Sequence, residues 1–396
     1  MIHGFSEESL APRRQEYASS YALVNYKFRN PNLTFCDAAG EEAGRYSFSN
    51  LDLIRAFQDP QGSERGFICV HITMVAFSGM AVSATEDVLA AAVQRNIRGF
   101  DNAMQRLLDV YRKINVVMET MWERSKPSDY LSFRTFIFGT APKKGNPMFP
   151  NGVLYEGVSN EPFHLRGESG ANDSLVPLLD NLLQITASLP NNELTRTLRD
   201  FRSYRPRSQR EYIDALEHRA ALAGIKDFAL LNDFTSSAKS KALYLLLVDQ
   251  VREFRNRHWL FAREYIIKQT KFPLATGGTS MLAYLPNNLG VVLSFLEEAY
   301  ASFTPADGHQ LEALGEHALL ASVHEAGKRA ATQHRLLRRE VEALKKAKEE
   351  QDLAIGKDKA SAEGSGMIGY AAMAASEKQT QDKSMKRGMV GCDGVG

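Results

Sequence analysis

One histidine lies in the middle of an apolar helical pattern. Between residues 243 and 266, large apolar side chains and this histidine follow each other at steps of three and four, the spacing of one helical face. The residues of this face are Leu247, Val251, Phe254, His258, Phe261 and Tyr265. A charged imidazolium is costly among such neighbours, so we expect a neutral ring with one nitrogen able to accept a ligand. His258 is therefore either a core histidine bonded to a backbone carbonyl or an axial haem ligand.

A second histidine repeats the pattern nearly two hundred residues upstream. In GFICVHITMVAFSG, His71 shares a predicted helical face with Phe67, Val70, Met74 and Phe77. Two such histidines on separate helices would be able to face each other across a flat cofactor. Two unrelated core histidines are the alternative.

Two arginines add possible anion-binding groups. Arg255 lies one turn from His258, within reach of the carboxylate edge of a porphyrin, although arginines on exposed helix faces are common. Arg134 stands among apolar residues in YLSFRTFIF, where a buried guanidinium needs an anionic partner. That partner is either the carboxylate of an amino-acid ligand or an internal Asp or Glu.

The segment ATGGTS carries glycines and threonines directly before a predicted helix. Gly277 and Gly278 allow close backbone approach, and Thr276 and Thr279 bring hydroxyl groups to the start of that helix. This suits a carboxylate or a phosphate, although a glycine pair is more often a simple turn. The segment is neither GxGxxG nor a P-loop, so no nucleotide cofactor is predicted.

The elements that must position these residues are mostly helical, because apolar spacing is helical through most of residues 50 to 340 and alternating runs are scarce. We predict an all-α fold with these helices: 50–58, 65–80, 84–124, 128–138, 173–188, 192–203, 208–222, 235–270, 278–304 and 308–350. A loop rich in Gly, Pro, Asn and Ser follows at 139–172, a length typical of functional loops. Beyond about residue 340 the sequence predicts a charged helical extension and then a disordered, low-complexity tail.

Composition limits the classes of partner. A net charge of +1 over 396 residues gives no field that favours nucleic acid or an anionic membrane, so a small ligand fits better. The three cysteines, Cys36, Cys69 and Cys392, form no CxxC pair, which favours a reducing compartment and disfavours a disulfide, zinc or iron-sulfur site. The N-terminus lacks an apolar leader, and no window approaches the roughly 20 apolar residues of a membrane span. We therefore expect a cytoplasmic protein.

Several motifs in order resemble the indoleamine 2,3-dioxygenase family of haem enzymes. Coverage runs from about residue 20 to residue 300, and the ordered series is more specific than any single motif. The matching stretches are NYKFRNP, NLDLIRAFQDPQGSERGFICVHI, DYLSFRTFIFG, GVLYEGVSNEPFHLRGESGANDSLVPLLDNLLQI, LRDFRSYRPRSQREYIDALE, FRNRHWLFAREYI and ATGGTSMLAYL.

The resemblance implies roles on the cofactor side of the site. His258 matches the proximal ligand of the haem iron. Arg255 matches an arginine near a haem propionate, and Asp180 matches the acid that pairs with it. Ser169 and Gly170, in GESGAND, match the loop beside the haem.

It also implies roles on the substrate side. Arg134 matches the arginine that holds the substrate carboxylate, and Thr276 matches the threonine of the glycine loop that closes over the substrate. Phe67 matches an aromatic residue packed on the indole ring. His71 stands where the animal enzymes have a serine. The related tryptophan 2,3-dioxygenases place there a histidine bonded to the indole nitrogen, which makes His71 a candidate catalytic residue.

Two further departures from the family pattern concern the N-terminal half. Asp129 stands where a phenylalanine is common, and Tyr130 would be able to fill that space. Family members carry a smaller helical domain ahead of NYKFRNP, which we expect to be largely absent here, with Tyr17 or Tyr21 replacing part of it. The resulting domain prediction is an N-terminal segment at 1–20, a helical haem domain at 21–340, and an extension with a tail at 341–396.

The function that follows from the resemblance is a haem-dependent dioxygenase of the kynurenine pathway. We expect haem b as cofactor and tryptophan or a related indole, with O2, as substrates. The product would be N-formylkynurenine, and the chain would act as a monomer. The alternatives are a haem enzyme acting on another indole and a non-catalytic haem-binding helical protein.

Overall fold

The computed structural model describes residues 25–34, 44–57, 62–137, 149–164, 173–189, 207–231, 237–270 and 281–360, together with Asn191, Thr195, Arg196 and Arg199. The predicted segment 1–20 and the tail beyond 360 lie outside these residues. The chain forms two units divided between Val341 and Glu342, and every contact described below lies within the first.

The described residues are mainly helical, which confirms the predicted all-α fold. Two short strands, β1 (Tyr26–Phe28) and β2 (Leu51–Leu53), pair antiparallel. The helices are α1 (Ser63–Val75), α2 (Ser78–Val93), α3 (Ile97–Glu119), α4 (Met121–Arg124), α5 (Pro127–Ile137), α6 (Leu175–Leu182), α7 (Arg207–Ala223), α8 (Ile225–Leu230), α9 (Ala238–Phe261), α10 (Met281–Ala301), α11 (Pro305–Ala313) and α12 (His317–Ala360). A π-helical segment, Ala262–Ile267, continues α9.

Most predicted helices are confirmed, but the helix predicted at 50–58 is wrong. Its first residues form β2, whose side chains Leu51 and Leu53 are buried against α1 while Asp52 between them is not. Three residues are too few to show an alternating pattern, and the pairing partner lies more than twenty residues upstream. The helix predicted at 84–124 is divided near Asn96 and Thr120, and the helix predicted at 192–203 falls largely outside the described residues.

Local sequence signals explain where several helices begin. Asn96 caps α3 by accepting a hydrogen bond from the backbone N–H of Gly99 at 3.0 Å. Ser237 caps α9 in the same way through Ser240. At α11, Thr304 and Asp307 form a reciprocal capping box with Pro305 in the first turn. These caps fix the starting points of the helices that build the core.

The core lies around α3 and α9, which pack against each other; α2 covers α3, and α10 covers α9. Helix α1 approaches α4 closely at Gly66, where an added Cβ would lie 1.7 Å from the backbone oxygen of Arg124. Only glycine permits this distance. The close approach holds the helix that carries His71 against the helices that follow α3.

One apolar stretch requires a correction to the sequence analysis. Residues Ser63–Val93 are long and apolar enough to cross a membrane by length and composition alone, with a mean hydropathy of 1.8. In the structure this stretch is two helices, α1 and α2, and half of its most apolar window is buried inside the protein. Buried core helices pass the same test, so the apolarity is accounted for by packing in the core.

Candidate functional site

His258 lies in the last turn of α9. The residue is exposed, although protein atoms crowd around its ring. Desolvation lowers the pKa of His258, and the nearby positive charge of Arg255 lowers it further. The ring is therefore neutral at physiological pH, which is the form that can donate a lone pair to a metal.

His71, on α1, faces the same part of the protein. It is partly exposed, and its pKa is lowered from 6.5 to about 4, first by desolvation and then because protonated His71 and protonated His258 would repel each other. An electrostatic effect between the two rings requires that they lie near each other. The structure thus brings together two neutral histidines from helices that are far apart in sequence.

Arg255 forms an ion pair with Asp180 beside His258. Its Nη2 donates to Asp180 Oδ2 at 2.6 Å, and the two side chains are only 12% and 7% exposed. Asp180 lies on α6, so the pair connects α6 to the helix that carries His258. A charge-assisted hydrogen bond with so little exposure is directional, and it fixes the orientation of the guanidinium.

The haem predicted from the sequence can be tested against these residues. In the described part of the chain, Arg255 Nη1 is buried without a hydrogen-bond partner. An unsatisfied buried donor is costly, and a propionate oxygen would satisfy it. A neutral, exposed imidazole is able to supply the single nitrogen that a haem iron needs from the protein. The residues present therefore fit a haem with His258 as ligand and Arg255 as the contact to its carboxylate.

An aromatic cluster lies next to His71. The ring of Phe67 is 5.8 Å from His71, 5.2 Å from Tyr130 and 6.0 Å from Phe133, measured between ring centroids. Tyr130 and Phe133 lie on α5 and are buried, whereas Phe67 on α1 is only partly buried. The cluster thus presents an apolar wall, and a flat ring is the shape that packs well on such a wall.

Arg134 follows Tyr130 by one turn of α5 and is 4% exposed. Burial lowers its pKa, and a hydrogen bond with Tyr130 counteracts that effect. The position expected to be aromatic in the family, Asp129, instead binds α1, because its Oδ2 accepts a hydrogen bond from Ser63 Oγ at 2.7 Å. Tyr130, the next residue, contributes a ring to the aromatic cluster.

The outer side of α9 is held by α12, and this was not predicted. Glu340 accepts hydrogen bonds from Trp259 Nε1 at 3.3 Å and from Arg263. Two turns earlier on each helix, Gln333 accepts from Arg252 at 2.7 Å. Trp259 directly follows His258, so α12 contacts the turn that contains His258. Because Glu340 is 77 residues from Arg263, no local pattern signals this contact.

The structure does not test every predicted site residue. Ser169, Gly170 and Thr276 lie outside the described residues, so their roles stay predictions. The effect of Tyr130 on Arg134 was missed, although their spacing of four residues on one helix face could have indicated it.

Comparisons with known proteins agree with this arrangement. The family model described as indoleamine 2,3-dioxygenase matches residues 14–288. Indoleamine 2,3-dioxygenase 1 of Rattus norvegicus is 25% identical over 257 residues, which cover 64% of this chain and 58% of the relative. Indoleamine 2,3-dioxygenase 2 of Homo sapiens is 27% identical over 287 residues, covering 67% of this chain and 64% of the relative. A protein named myoglobin from Haliotis madaka is 24% identical over 276 residues, covering 68% and 67%.

The chain spans about three fifths of the length of the two dioxygenase relatives. The family match nevertheless extends over most of this chain and contains both histidines, the Arg255–Asp180 pair and Arg134. The protein belongs to the indoleamine 2,3-dioxygenase family.

Proposed function

We propose that this protein is a haem-dependent dioxygenase that adds both atoms of O2 across the indole C2=C3 bond of tryptophan, giving N-formylkynurenine. The observation that carries the proposal is the proximity of two neutral histidines, His258 and His71, which lie on separate helices. Family membership supports the reaction class. Cytoplasmic location, a monomeric state and the lack of membrane or nucleic-acid partners are part of the same proposal.

His258 would hold the haem iron, and Arg255 would bind a propionate while Asp180 keeps its guanidinium in place. When bound, the haem supplies the one-electron and O2 chemistry that no amino-acid side chain provides. Asp180 also connects α6 to α9, so the ion pair would fix the helix that carries the ligand.

The other residues act on the substrate. Arg134 would bind the carboxylate, and Phe67 would pack against the indole ring beside Tyr130 and Phe133. His71 is neutral because burial lowers its pKa to about 4, so it can accept a hydrogen bond from the indole N–H. These contacts would orient the ring so that one bond faces the cofactor, and orientation of this kind contributes strongly to rate. Thr276 is proposed to close over the carboxylate.

The test is direct. The protein would be purified with haem, reduced, and mixed with L-tryptophan under 18O2, while N-formylkynurenine is followed by absorbance and mass. We expect a product that carries two heavy oxygen atoms. A product with one heavy oxygen would indicate a monooxygenase, and the absence of product with full haem loading would refute the proposal.

A second candidate is a non-catalytic haem protein. A relative named myoglobin matches 68% of this chain, and this match supports the second candidate. In that case L-tryptophan would leave the protein unreacted, or would shift the haem spectrum without product, while the reduced protein binds O2 reversibly.

A further inference from the structure

The turn that contains His258 is held at the two residues that flank it. Arg257, which is 9% exposed, donates from Nη1 to Asn115 Oδ1 on α3 at 2.8 Å. Trp259, which is 1% exposed, donates from Nε1 to Glu340 Oε2 on α12 at 3.3 Å. Side chains two residues apart on an α-helix point about 200° apart, so the two contacts lie on nearly opposite sides of α9. Together they oppose rotation of this turn about the helix axis.

The side chain of His258 leaves the helix between those of its two neighbours. Successive side chains on an α-helix are separated by about 100°, so rotation of the turn moves the imidazole sideways. Arg255, three residues earlier, leaves the helix on nearly the same side as His258. Because His258 itself is exposed, the contacts of its neighbours contribute to the position of its ring.

Glu340 also contacts the segment that follows α9. It accepts a second hydrogen bond from Arg263, which lies in the π-helical segment four residues after Trp259. The backbone oxygen of His258 accepts a hydrogen bond from Ala262, the first residue of that segment. Since π-helical turns use i→i+5 hydrogen bonds, the backbone changes its hydrogen-bond register at this junction. One carboxylate therefore binds the chain on both sides of the junction next to His258.

The two contacts of Glu340 differ in strength. The side chains of Arg263 and Glu340 are 25% and 29% exposed, and a partly exposed ion pair contributes little to stability. The Trp259 indole is almost fully buried, so loss of its acceptor would leave a buried N–H group without a partner. Such a loss costs more than the hydrogen bond itself contributes. We therefore expect Glu340 to act mainly through Trp259.

We propose that Glu340 is a positioning residue for His258: by accepting hydrogen bonds from Trp259 and Arg263, it fixes the last turn of α9 and so the orientation of the imidazole towards a haem iron. The inference rests on the proposed function, because it takes His258 as the haem ligand. Glu340 lies beyond the family match, which ends at residue 288. The family pattern therefore assigns this residue no role.

The test is the iron–histidine stretching band in the resonance Raman spectrum of the reduced haem protein. This band responds to the orientation of the imidazole, and its measurement requires no turnover. In Glu340→Ala we expect the band to shift and haem to dissociate about tenfold faster, as for the loss of other contacts that support a metal ligand. In Glu340→Gln the amide oxygen still accepts from Trp259, so most of the wild-type band should return. An unchanged band in Glu340→Ala would overturn the inference.

Gln333→Ala is the matched control. Gln333 also lies on α12 and accepts a hydrogen bond from Arg252 of α9 at 2.7 Å, nearly two turns before His258. We expect this variant to lower the free energy of unfolding in urea while leaving the band at its wild-type position. Equal band shifts in Gln333→Ala and Glu340→Ala would overturn the inference, because α12 would then act only by stabilising the fold.

Trp259→Phe keeps the inference falsifiable if Glu340→Ala does not fold. This variant retains a large buried ring but lacks the N–H group, so it should shift the band as Glu340→Ala does. An unchanged band would overturn the inference. Wild-type protein that shows the band but forms no N-formylkynurenine would refute the proposed reaction and leave the inference to be decided by the variants. A wild-type band that persists in His258→Ala would overturn both the ligand assignment and the inference.

Discussion

The two histidines stand in different surroundings. Around His258, α9 and the π-helical segment after it are fixed by charged and polar contacts that reach three other helices, α3, α6 and α12. These contacts are Arg252 with Asp249 and Gln333, Arg255 with Asp180, Arg257 with Asn115 and Glu119, and Arg263 with Glu340. Around His71, the neighbours are aromatic rings, with one buried arginine among them.

The difference suggests that the two sides of the proposed site have different roles. Charge-assisted hydrogen bonds have defined directions and resist small displacements, which suits the proposed role of His258 as ligand of a haem iron. Aromatic rings offer a large apolar surface on which a flat ring packs well, which suits the proposed substrate wall. Variants on the His258 side should therefore act on haem binding, and variants on the His71 side should act on substrate.

The largest effect is expected for His258→Ala, which tests whether the His258 side of the site binds haem. Without the axial nitrogen we expect haem affinity to fall by more than about 100-fold. The measurement is haem per chain from a pyridine hemochromogen assay, with His218→Ala on the exposed face of α7 as control. Full haem loading with an unchanged ferrous spectrum in His258→Ala would show that another residue is the ligand.

Asp180→Asn should have the next largest effect. It removes the charge that pairs with Arg255, and a change in such a supporting contact costs on the order of 30-fold in affinity for the bound metal group. Haem transfer to apomyoglobin would measure it. Glu86→Gln is a suitable comparison, because Glu86 pairs with Arg219 at a surface where both side chains are about 40% exposed. Equal haem loss in both variants would indicate a general loss of stability.

His71→Ser should leave haem loading unchanged and reduce kcat/KM for L-tryptophan about tenfold, the effect of one lost hydrogen bond in an enclosed site. Tryptophan methylated at the indole nitrogen lacks the donor that His71 would accept. The wild-type protein should prefer L-tryptophan over the methylated compound, and His71→Ser should lose most of that preference. An unchanged preference would exclude the contact between His71 and the indole N–H.

The smallest expected effect concerns the pH dependence of apoprotein stability. The pKa of His71 is about 4 in the folded protein and about 6.5 when exposed, so below pH 6.5 the unfolded chain binds a proton that the native one does not. Stability therefore falls as pH decreases towards 4. Between pH 7 and pH 6, this residue should lower the free energy of unfolding by about 0.7 kcal/mol. In His71→Ser, the decrease in the free energy of unfolding over the same pH range, measured by urea denaturation, should be smaller by that amount. An identical pH dependence in both proteins would contradict the low pKa.

The sequence predicted what depends on local spacing. Of the predicted stripe, Leu247, Val251 and Tyr265 are at most 5% exposed, because helical periodicity is a local property. His258 itself is exposed, which the stripe did not predict. The ion pair of Arg255 and Asp180 came from family resemblance and is present in the structure.

The parts that were not predicted depend on contacts between distant segments. The strand at Leu51–Leu53 forms only because Tyr26–Phe28 pairs with it. The π-helical turn after α9 was also not foreseen; such turns are rare and often occur at functional sites. In this structure the turn carries Tyr265, whose ring reaches Tyr130.

The contacts of Glu340 bear on how the protein should be produced. The family match ends at residue 288, and that residue is a natural place to end a shortened version of the chain for expression. A chain cut there would lose the acceptor for Arg263 and for the Trp259 indole, which is only 1% exposed. Shortened versions for crystallisation should therefore extend past Glu340, or the turn next to His258 would lose its outer support.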